Sequence, residues 1–389
     1  MIARKCCFIL PIILFSIPLQ AQRSAYQDEY IGWKTIFKTD TSSKPTVYDH
    51  RVISAKQSRM AGMFRQWMQA SYTPKGGLGD IKKRANDKLG LYNQDTKAMP
   101  NFYGASASVY IFLKKNAQGK YTNTDLTAWS WNIYANGPIG VNFDVLTTPE
   151  QYYFYLPHEA GSNDITDQIS RLGQFNTHPV HRKYIAYYHP KDITSTLKYV
   201  VVLSRDNKRF YTQITKGECL DQVGRAIERK YREKINKING DQASDEKGKK
   251  KFLDYEKEAY DRRIIAYKKL REKYKNRLEE PAAVYSEQPS LYLENSLPDL
   301  FEGYGPADKK IPIYKFNPDI ISLCQTDNPQ WIVVEWSAEG VANDDPSGVH
   351  MHESILRNFD FDYVYNYFFY REKVNGQSYK PLRPPGAVK

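Results

Sequence analysis

Histidine is the residue type in this sequence that could build a metal centre. His350 and His352 are separated by one residue, and on a β-strand this spacing places both imidazoles on the same face. His178 or His181 could supply a further ligand across a turn, with Glu353 or Asp344/Asp345 as a carboxylate. The sequence contains neither H-E-x-x-H nor a paired-cysteine motif, so ordinary surface or structural histidines are the competing interpretation. We therefore predict no cofactor, with zinc at these histidines as the alternative.

A carboxylate inside an apolar run is the second candidate for chemistry. Glu335 lies in the predicted strand 331–337, and by alternation it shares a face with Trp331 and Val333. Burial there would raise the pKa of the carboxyl toward use as a general acid, as in glycoside hydrolysis. The competing interpretation is a glutamate at a sheet edge that reaches solvent or pairs with a lysine or arginine.

Aromatic and basic side chains offer two candidate binding surfaces. Trp129 and Trp131 alternate onto one strand face, where they would stack on sugars or form part of a sheet core. A run of lysines at the predicted tip of a helical hairpin could contact an anionic partner; it comprises Lys247, Lys249, Lys250 and Lys251.

The N-terminus has the pattern of a secretory signal peptide. Arg4 and Lys5 precede an apolar core over residues 8–17, and Ala21 is a small residue at the expected cleavage point. The apolar core is too short to span a bilayer, and no later segment is long enough. We predict that residues 1–21 are removed, and that the protein is exported to the periplasm or cell exterior with no transmembrane span.

Removal of this peptide leaves two cysteines, Cys219 and Cys324. In an oxidising compartment they could form one disulfide. Two buried free thiols are the other interpretation, because a chain of 389 residues can build a core without a covalent link.

Capping and periodicity predict the helices. Ser54 and Gln57 form a capping box for a helix ending near Tyr72, after which the glycines at 76–79 indicate a loop. Thr215 caps a helix to Gly240, and a second helix covers about 252–279. Because their connection is short and both carry apolar stripes, we predict an antiparallel helical hairpin over 216–280. A final helix is expected at 353–370.

Apolar and aromatic runs predict the strands. A turn at 205–208 indicates that the strands flanking it form a β-hairpin. The predicted strands are 109–113, 128–134, 151–156, 182–188, 198–203, 209–214, 311–316 and 331–337.

Composition excludes a disordered chain and a polytopic membrane protein, because 31 Tyr, 17 Phe and 6 Trp are ample core material and long apolar runs are lacking. The net charge is +12, and residues 216–280 hold 20 Lys/Arg against 14 Asp/Glu. The basic balance therefore belongs mainly to the helical hairpin.

Three segments of the second half carry a resemblance. The run Arg209–Leu220 followed by a charged helix, together with 330–334 and Asn358–Phe361, resembles uncharacterised secreted proteins of Bacteroidetes-type bacteria. The resemblance implies secretion and carries no assigned activity, so it transfers no catalytic residues.

Together these patterns predict an α+β protein. A helix-plus-antiparallel-sheet domain covers 22–160, a linker 161–180, an α/β domain with the protruding hairpin 181–380, and an irregular tail 381–389. The preferred function is a non-catalytic binding or interaction protein whose partner is an envelope protein or an anionic glycan. A secreted hydrolase that uses His350/His352 or Glu335 is the alternative. Export argues against nucleic acid as partner, and the oligomeric state stays open.

Overall fold

The computed structural model describes twelve segments of the chain. They are residues 26–38, 44–48, 51–85, 99–123, 129–143, 145–156, 158–159, 178–189, 198–241, 245–285, 297–302 and 310–383. The predicted signal peptide, residues 161–177 of the predicted linker and residues 384–389 of the tail lie outside the described residues.

The strands are short and pair antiparallel wherever they join a sheet. They are β1 Thr46–Tyr48, β2 Arg51–Ile53, β3 Leu78–Ala85, β4 Tyr103–Tyr110, β5 Leu113–Lys115, β6 Tyr121–Asn123, β7 Trp129–Ala135, β8 Val141–Asn142, β9 Tyr153–Tyr155, β10 His158–Glu159, β11 Ile185–His189, β12 Lys198–Ser204, β13 Tyr211–Gln213, β14 Ala283–Val284, β15 Ile311–Phe316 and β16 Trp331–Ser337.

The helices flank these strands in sequence and include two long ones. They are α1 Ala55–Ser71, α2 Pro179–Lys183, α3 Lys216–Gly240, α4 Glu246–Lys273, α5 Pro318–Leu323, α6 Glu339–Ala342, α7 Pro346–Asn358 and α8 Phe361–Phe369. The predicted α+β class is confirmed, with a helix and sheet in the first half and helices at the C-terminal end.

Two sheets combine strands from both halves of the chain. The larger has the order β10-β11-β12-β16-β7-β4-β3, and the smaller has the order β13-β15-β9-β8 with β14 beside β15. β16 pairs with β7, and β15 pairs with β9. Both sheets therefore cross the boundary predicted at 161–180, and the ranges 22–160 and 181–380 do not each contain a separate sheet.

The described residues stack in four layers. Alternate side chains of the larger sheet, such as Ile133 and Val334, pack against Phe64 of α1 and Phe359 after α7. The opposite face packs on the smaller sheet through aromatic rings, and the far side of that sheet packs on the base of α3 and α4. Each sheet is thus largely buried on both faces, which explains the aromatic richness of the strands.

Aromatic contacts join the two sheets. Phe316 of β15 lies 5.6 Å from Trp331 and 4.7 Å from Phe154, measured between ring centroids. Phe210 stacks on Trp331 with the centroids 3.8 Å apart. All four side chains are buried.

The predicted helical hairpin is confirmed. The Thr215 hydroxyl accepts from the Glu218 backbone N–H at 3.1 Å, as the capping pattern predicted. Rings of Tyr231 and Tyr260 stack at 4.4 Å between the helices. The second helix begins at residue 246 instead of 252, because the Asp245 carboxylate accepts from the Gly248 N–H at 2.7 Å and caps it.

Two local predictions were wrong because tertiary contacts set the local structure. The loop predicted at 76–79 ends earlier, because residues 78–85 pair with β4 as strand β3. Gly79 lies in this strand, so close to the Trp33 ring that a Cβ would come within 2.2 Å of it. The segment 353–370 is two helices, because Asp360 caps α8 by accepting from the Tyr363 N–H at 2.8 Å.

The predicted β-hairpin around residues 205–208 is also wrong. β12 belongs to the larger sheet and β13 to the smaller one. The turn therefore carries the chain between sheets, with Asp206 and Asn207 at φ of 55° and 53°.

We expect Phe316→Ala to lower the free energy of unfolding by about 3–5 kcal/mol, since it leaves a cavity among rings of both sheets. Chemical denaturation measures this change. Phe252→Ala is the matched control, because Phe252 is 56% exposed and its loss should cost less than about 0.5 kcal/mol. Equal effects of the two changes would contradict the packing between the sheets.

Candidate functional site

His350 and His352 lie on helix α7, so the strand spacing predicted for them is wrong. The helix forms because Pro346 occupies its first turn and the Asp345 carboxylate accepts from the Ser347 and Gly348 N–H groups. Positions two apart on a helix are rotated by about 200°, so the two imidazoles point to different sides.

Each imidazole is enclosed by aromatic rings. His350 lies 5.5 Å from the Tyr30 ring and 5.7 Å from the Tyr72 ring, and neither of its nitrogens has a hydrogen-bond partner. The Trp336 indole N–H donates to His352 Nδ1 at 3.0 Å, and Tyr199 stacks on the imidazole at 5.0 Å. Burial lowers the pKa of His350 to about 4 and that of His352 to about 3.

The other candidate metal ligands also have local roles. His178 caps α2, where its Nδ1 accepts from the Val180 N–H at 3.3 Å, and His181 lies within that helix. The predicted turn carrying both residues is therefore the start of a helix. Within the described segments, no three histidine, cysteine or carboxylate side chains form a group that could hold a metal ion.

Glu335 lies in the middle of the larger sheet. The Asn132 amide donates to its Oε1 at 2.6 Å, and Lys198 Nζ lies 3.5 Å from the same atom. The carboxylate side chain is 12% exposed. Register explains this cluster, because β7 places Asn132 directly opposite Glu335. The ion pair with a lysine matches the non-catalytic interpretation of this residue, although at a sheet centre instead of an edge.

Trp129 and Trp131 do not form an exposed stacking surface. Trp131 is fully buried, and Trp129 is 7% exposed with its indole N–H donating to Ser347 Oγ at 2.8 Å. Both face the layer of α1, α7 and α8, so the core interpretation holds for them.

Cys219 and Cys324 are both free and buried. Cys219 packs at the hairpin base and Cys324 packs between the two sheets, so the predicted alternative of a disulfide is wrong. Burial raises the pKa of each thiol to about 12.

The hairpin tip carries both signs of charge. Lys247, Lys250 and Lys251 surround a shallow surface that also includes Asp245, Asp254 and Glu258. Lys249 lies 3.8 Å from a Glu246 carboxylate oxygen. The predicted basic cluster is thus interleaved with carboxylates at close range.

A cleft that the sequence did not predict lies between α1, the start of β16 and the end of α8. Its volume is about 830 Å³, within the range of ligand sites. Among the described residues, basic, aromatic and neutral side chains line it and no carboxylate does: Lys56, Arg59, Met60, Met63, Arg205, Asn328, Pro329, Gln330, Tyr367, Phe368, Phe369 and Arg371.

Contacts hold the basic side chains of this cleft in place. Lys56 Nζ donates to Asn328 Oδ1 at 2.7 Å, and Arg205 donates to the Phe369 carbonyl at 2.9 Å. The Arg371 guanidinium lies 5.1 Å from the Tyr367 ring centroid. Of the described carboxylates, none lies within 4.0 Å of Lys56, Arg205 or Arg371 to form a salt bridge. Neutral groups therefore position these three cations, and no described carboxylate forms an ion pair with them.

Two acidic residues close in sequence to the cleft residues are directed elsewhere. Asp327 accepts from the Ser54 hydroxyl at 2.6 Å, and Asp206 accepts from the Tyr370 hydroxyl. Lys56 and Arg59 lie three residues apart on α1, which is the single local signal that was available. Their approach to Arg205 and Arg371 is a product of the fold.

Comparisons with known proteins give no family for this chain: no protein-family model matches it, and no curated protein or solved structure matches it significantly. Among helices of the described segments, none is long and apolar enough to cross a bilayer.

Acid should destabilise the fold through its buried histidines. The unfolded chain protonates them near pH 6.5, whereas the folded chain resists protonation down to about pH 4 at His350. The unfolded state thus binds more protons than the folded state between these two pH values. The free energy of unfolding therefore falls as the pH is lowered, by on the order of 3 kcal/mol for His350. We expect His350→Phe to remove this part of the fall, because the imidazole makes no hydrogen bond.

Denaturation between pH 7 and pH 4 measures this effect. If His350→Phe and the wild type lose stability equally over this range, the assignment of the acid sensitivity to His350 is wrong.

Neither described cysteine should react with an aromatic disulfide reagent while the protein is folded, since burial disfavours the reactive thiolate. Denaturant without reductant should make both thiols react, and peptide mapping would locate the label at Cys219 and Cys324. A requirement for prior reduction would contradict the free thiols.

Proposed function

We propose that this protein is a non-catalytic binding protein of the periplasm or cell exterior, and that it holds an anionic glycan in the cleft between α1 and α8. The observation that carries this proposal is the convergence of Lys56, Arg59, Arg205 and Arg371 on one cleft whose described lining contains no carboxylate. Export follows from the pattern of residues 1–21.

The chemistry of the basic residues suits acidic sugars. Guanidinium groups bind carboxylates and sulfates through two parallel N–H bonds. Arg205 and Arg371 are held by a carbonyl and an aromatic ring, respectively. Less rotational freedom is therefore lost when they bind a ligand.

The aromatic lining supports a sugar over a simple anion. Tyr367 and Phe368 are half-buried in the wall of the cleft, and their rings lie 5.2 Å apart. A pyranose presents an apolar face of C–H groups that packs on such rings, while its acidic substituent reaches the cations. The proposed ligand is thus a chain of uronic acid or sulfated sugars.

A binding role is preferred to hydrolysis because of the surroundings of Glu335. Its carboxylate is engaged by the Asn132 amide at 2.6 Å and by the Lys198 ammonium at 3.5 Å, within the larger sheet. The hydrolase alternative stays a prediction.

Charge reversal in the cleft should weaken the binding of acidic sugars. We expect Arg371→Glu and Lys56→Glu each to weaken binding of a uronic-acid oligosaccharide at least about tenfold, or about 1.4 kcal/mol, in isothermal titration calorimetry. Affinity of the wild type should fall with added salt, because the ligand contacts are charged. A neutral oligosaccharide of the same length should not bind.

Lys250→Glu is the matched control, since it makes the same charge change on the exposed hairpin tip. It should leave the affinity unchanged. If this variant weakens binding as much as the cleft variants do, the anionic partner belongs to the tip and the cleft assignment is wrong. If the wild type binds neither uronic-acid nor sulfated oligosaccharides, the proposed ligand class is wrong.

A further inference from the structure

Helix α4 carries two stripes of side chains at the spacing of a coiled coil. The first contains Glu256, Arg263 and Leu270, which are buried against α3 and the hairpin base. The second lies on the flank of the helix and is exposed throughout, with successive spacings of four and three residues: Lys251, Tyr255, Glu258, Arg262, Ile265 and Lys269. We call this second stripe the flank seam.

The flank seam has apolar residues exposed where a solvated helix would have polar ones. Tyr255 is 58% exposed and Ile265 is 56% exposed. Between them Glu258 and Arg262 form an ion pair one turn apart, at 3.7 Å. If α4 packed only against α3, large apolar side chains on the flank seam would stay in solvent and would not stabilise the helix.

We propose that the flank seam is a self-association surface, on which a second copy of this chain packs its own α4 in antiparallel orientation. The seam is self-complementary about residue 260. Tyr255 and Ile265 are each five residues, or about 7.5 Å, from that point, and Glu258 and Arg262 are each two residues from it. A twofold axis at residue 260 therefore sets Tyr255 against Ile265 of the second copy, and Glu258 against its Arg262.

Charge selects the antiparallel arrangement. In a parallel pair in register each seam residue would meet its own counterpart, which sets Glu258 against glutamate and Arg262 against arginine. The antiparallel pair instead places opposite charges together twice across the axis. Lys251 then meets Lys269 of the second copy, so the favourable contacts are limited to the four central positions and the association is weak.

The position of the seam on the hairpin leaves room for a second helix. Leu270, where α4 enters the core at the hairpin base, is ten residues from the centre of the seam, or about 15 Å along the helix. Two helices packed side by side need an axial separation of about 8–10 Å. The centre of the seam therefore lies farther from the hairpin base than this axial separation.

Sedimentation of the purified full chain over a concentration series tests this proposal. The wild type is expected to form dimers reversibly, and Tyr255→Ser or Ile265→Ser to raise the dimer dissociation constant at least about tenfold. Phe252→Ser is the matched control, because Phe252 is equally exposed on the same helix but lies about 100° from the centre of the seam. It should not change the dissociation constant.

Charge exchange tests the antiparallel register. Glu258→Arg alone and Arg262→Glu alone should each weaken the dimer, because each places like charges across the axis, and the two changes together should restore it. Each single change also breaks the Glu258–Arg262 ion pair within one helix, which contributes about 0.3–0.5 kcal/mol. Thermal unfolding of each variant measures this loss of stability separately from dimer formation. A protein that stays monomeric at every concentration would overturn the proposal. So would a dimer that ignores the seam substitutions, weakens equally with Phe252→Ser, or is not restored by the double exchange.

Discussion

The pairing of strand β16 along both of its edges is the constraint on which the rest of the structure depends. β16 bonds to β12 on one side and to β7 on the other, so it joins the two halves of the chain in one sheet. Its side chains enter two cores at once: Trp336 faces the helical layer, whereas Trp331 faces the smaller sheet. Residues 328–330, which lead into it, form a wall of the basic cleft. Displacing β16 would therefore disturb both cores and the cleft together.

Burial decides what the chemically versatile side chains do. The histidines of α7, the tryptophans of β7 and both described cysteines serve the packing of the layers. Desolvation there keeps the imidazoles and the thiols neutral. The surfaces suited to recognition are built from ordinary residues instead. Arginines and lysines that belong to no sequence motif are collected by the fold in one cleft, whose described lining contains no carboxylate. The hairpin shows the opposite case, since its many charges largely pair along and between its helices.

The predicted elements are correct where contacts between residues close in sequence determine the structure. Ser54 and Thr215 bond to backbone groups three residues away, so their caps and the helices that follow were predictable. The predictions are wrong where contacts between residues far apart in sequence decide the local structure. Gly79 looks like part of a loop but serves close packing against Trp33, and the spacing of His350 and His352 suits a strand as well as a helix. The Asp345 cap favours the helix over the strand, because its carboxylate accepts from two N–H groups of α7.

The sequence by itself determined the helical hairpin, the concentration of basic charge near it and about half of the strands (β7, β9, β11, β12, β13, β15 and β16), because caps, periodicity and composition act over a few residues. Only the tertiary structure decided which strands are neighbours, that Cys219 and Cys324 lie in separate cores, and that Lys56 approaches Arg371. The reason is that strand alternation specifies which face a side chain occupies but not which strand lies beside it. Partners far apart in sequence are selected by how all layers bury their apolar faces together.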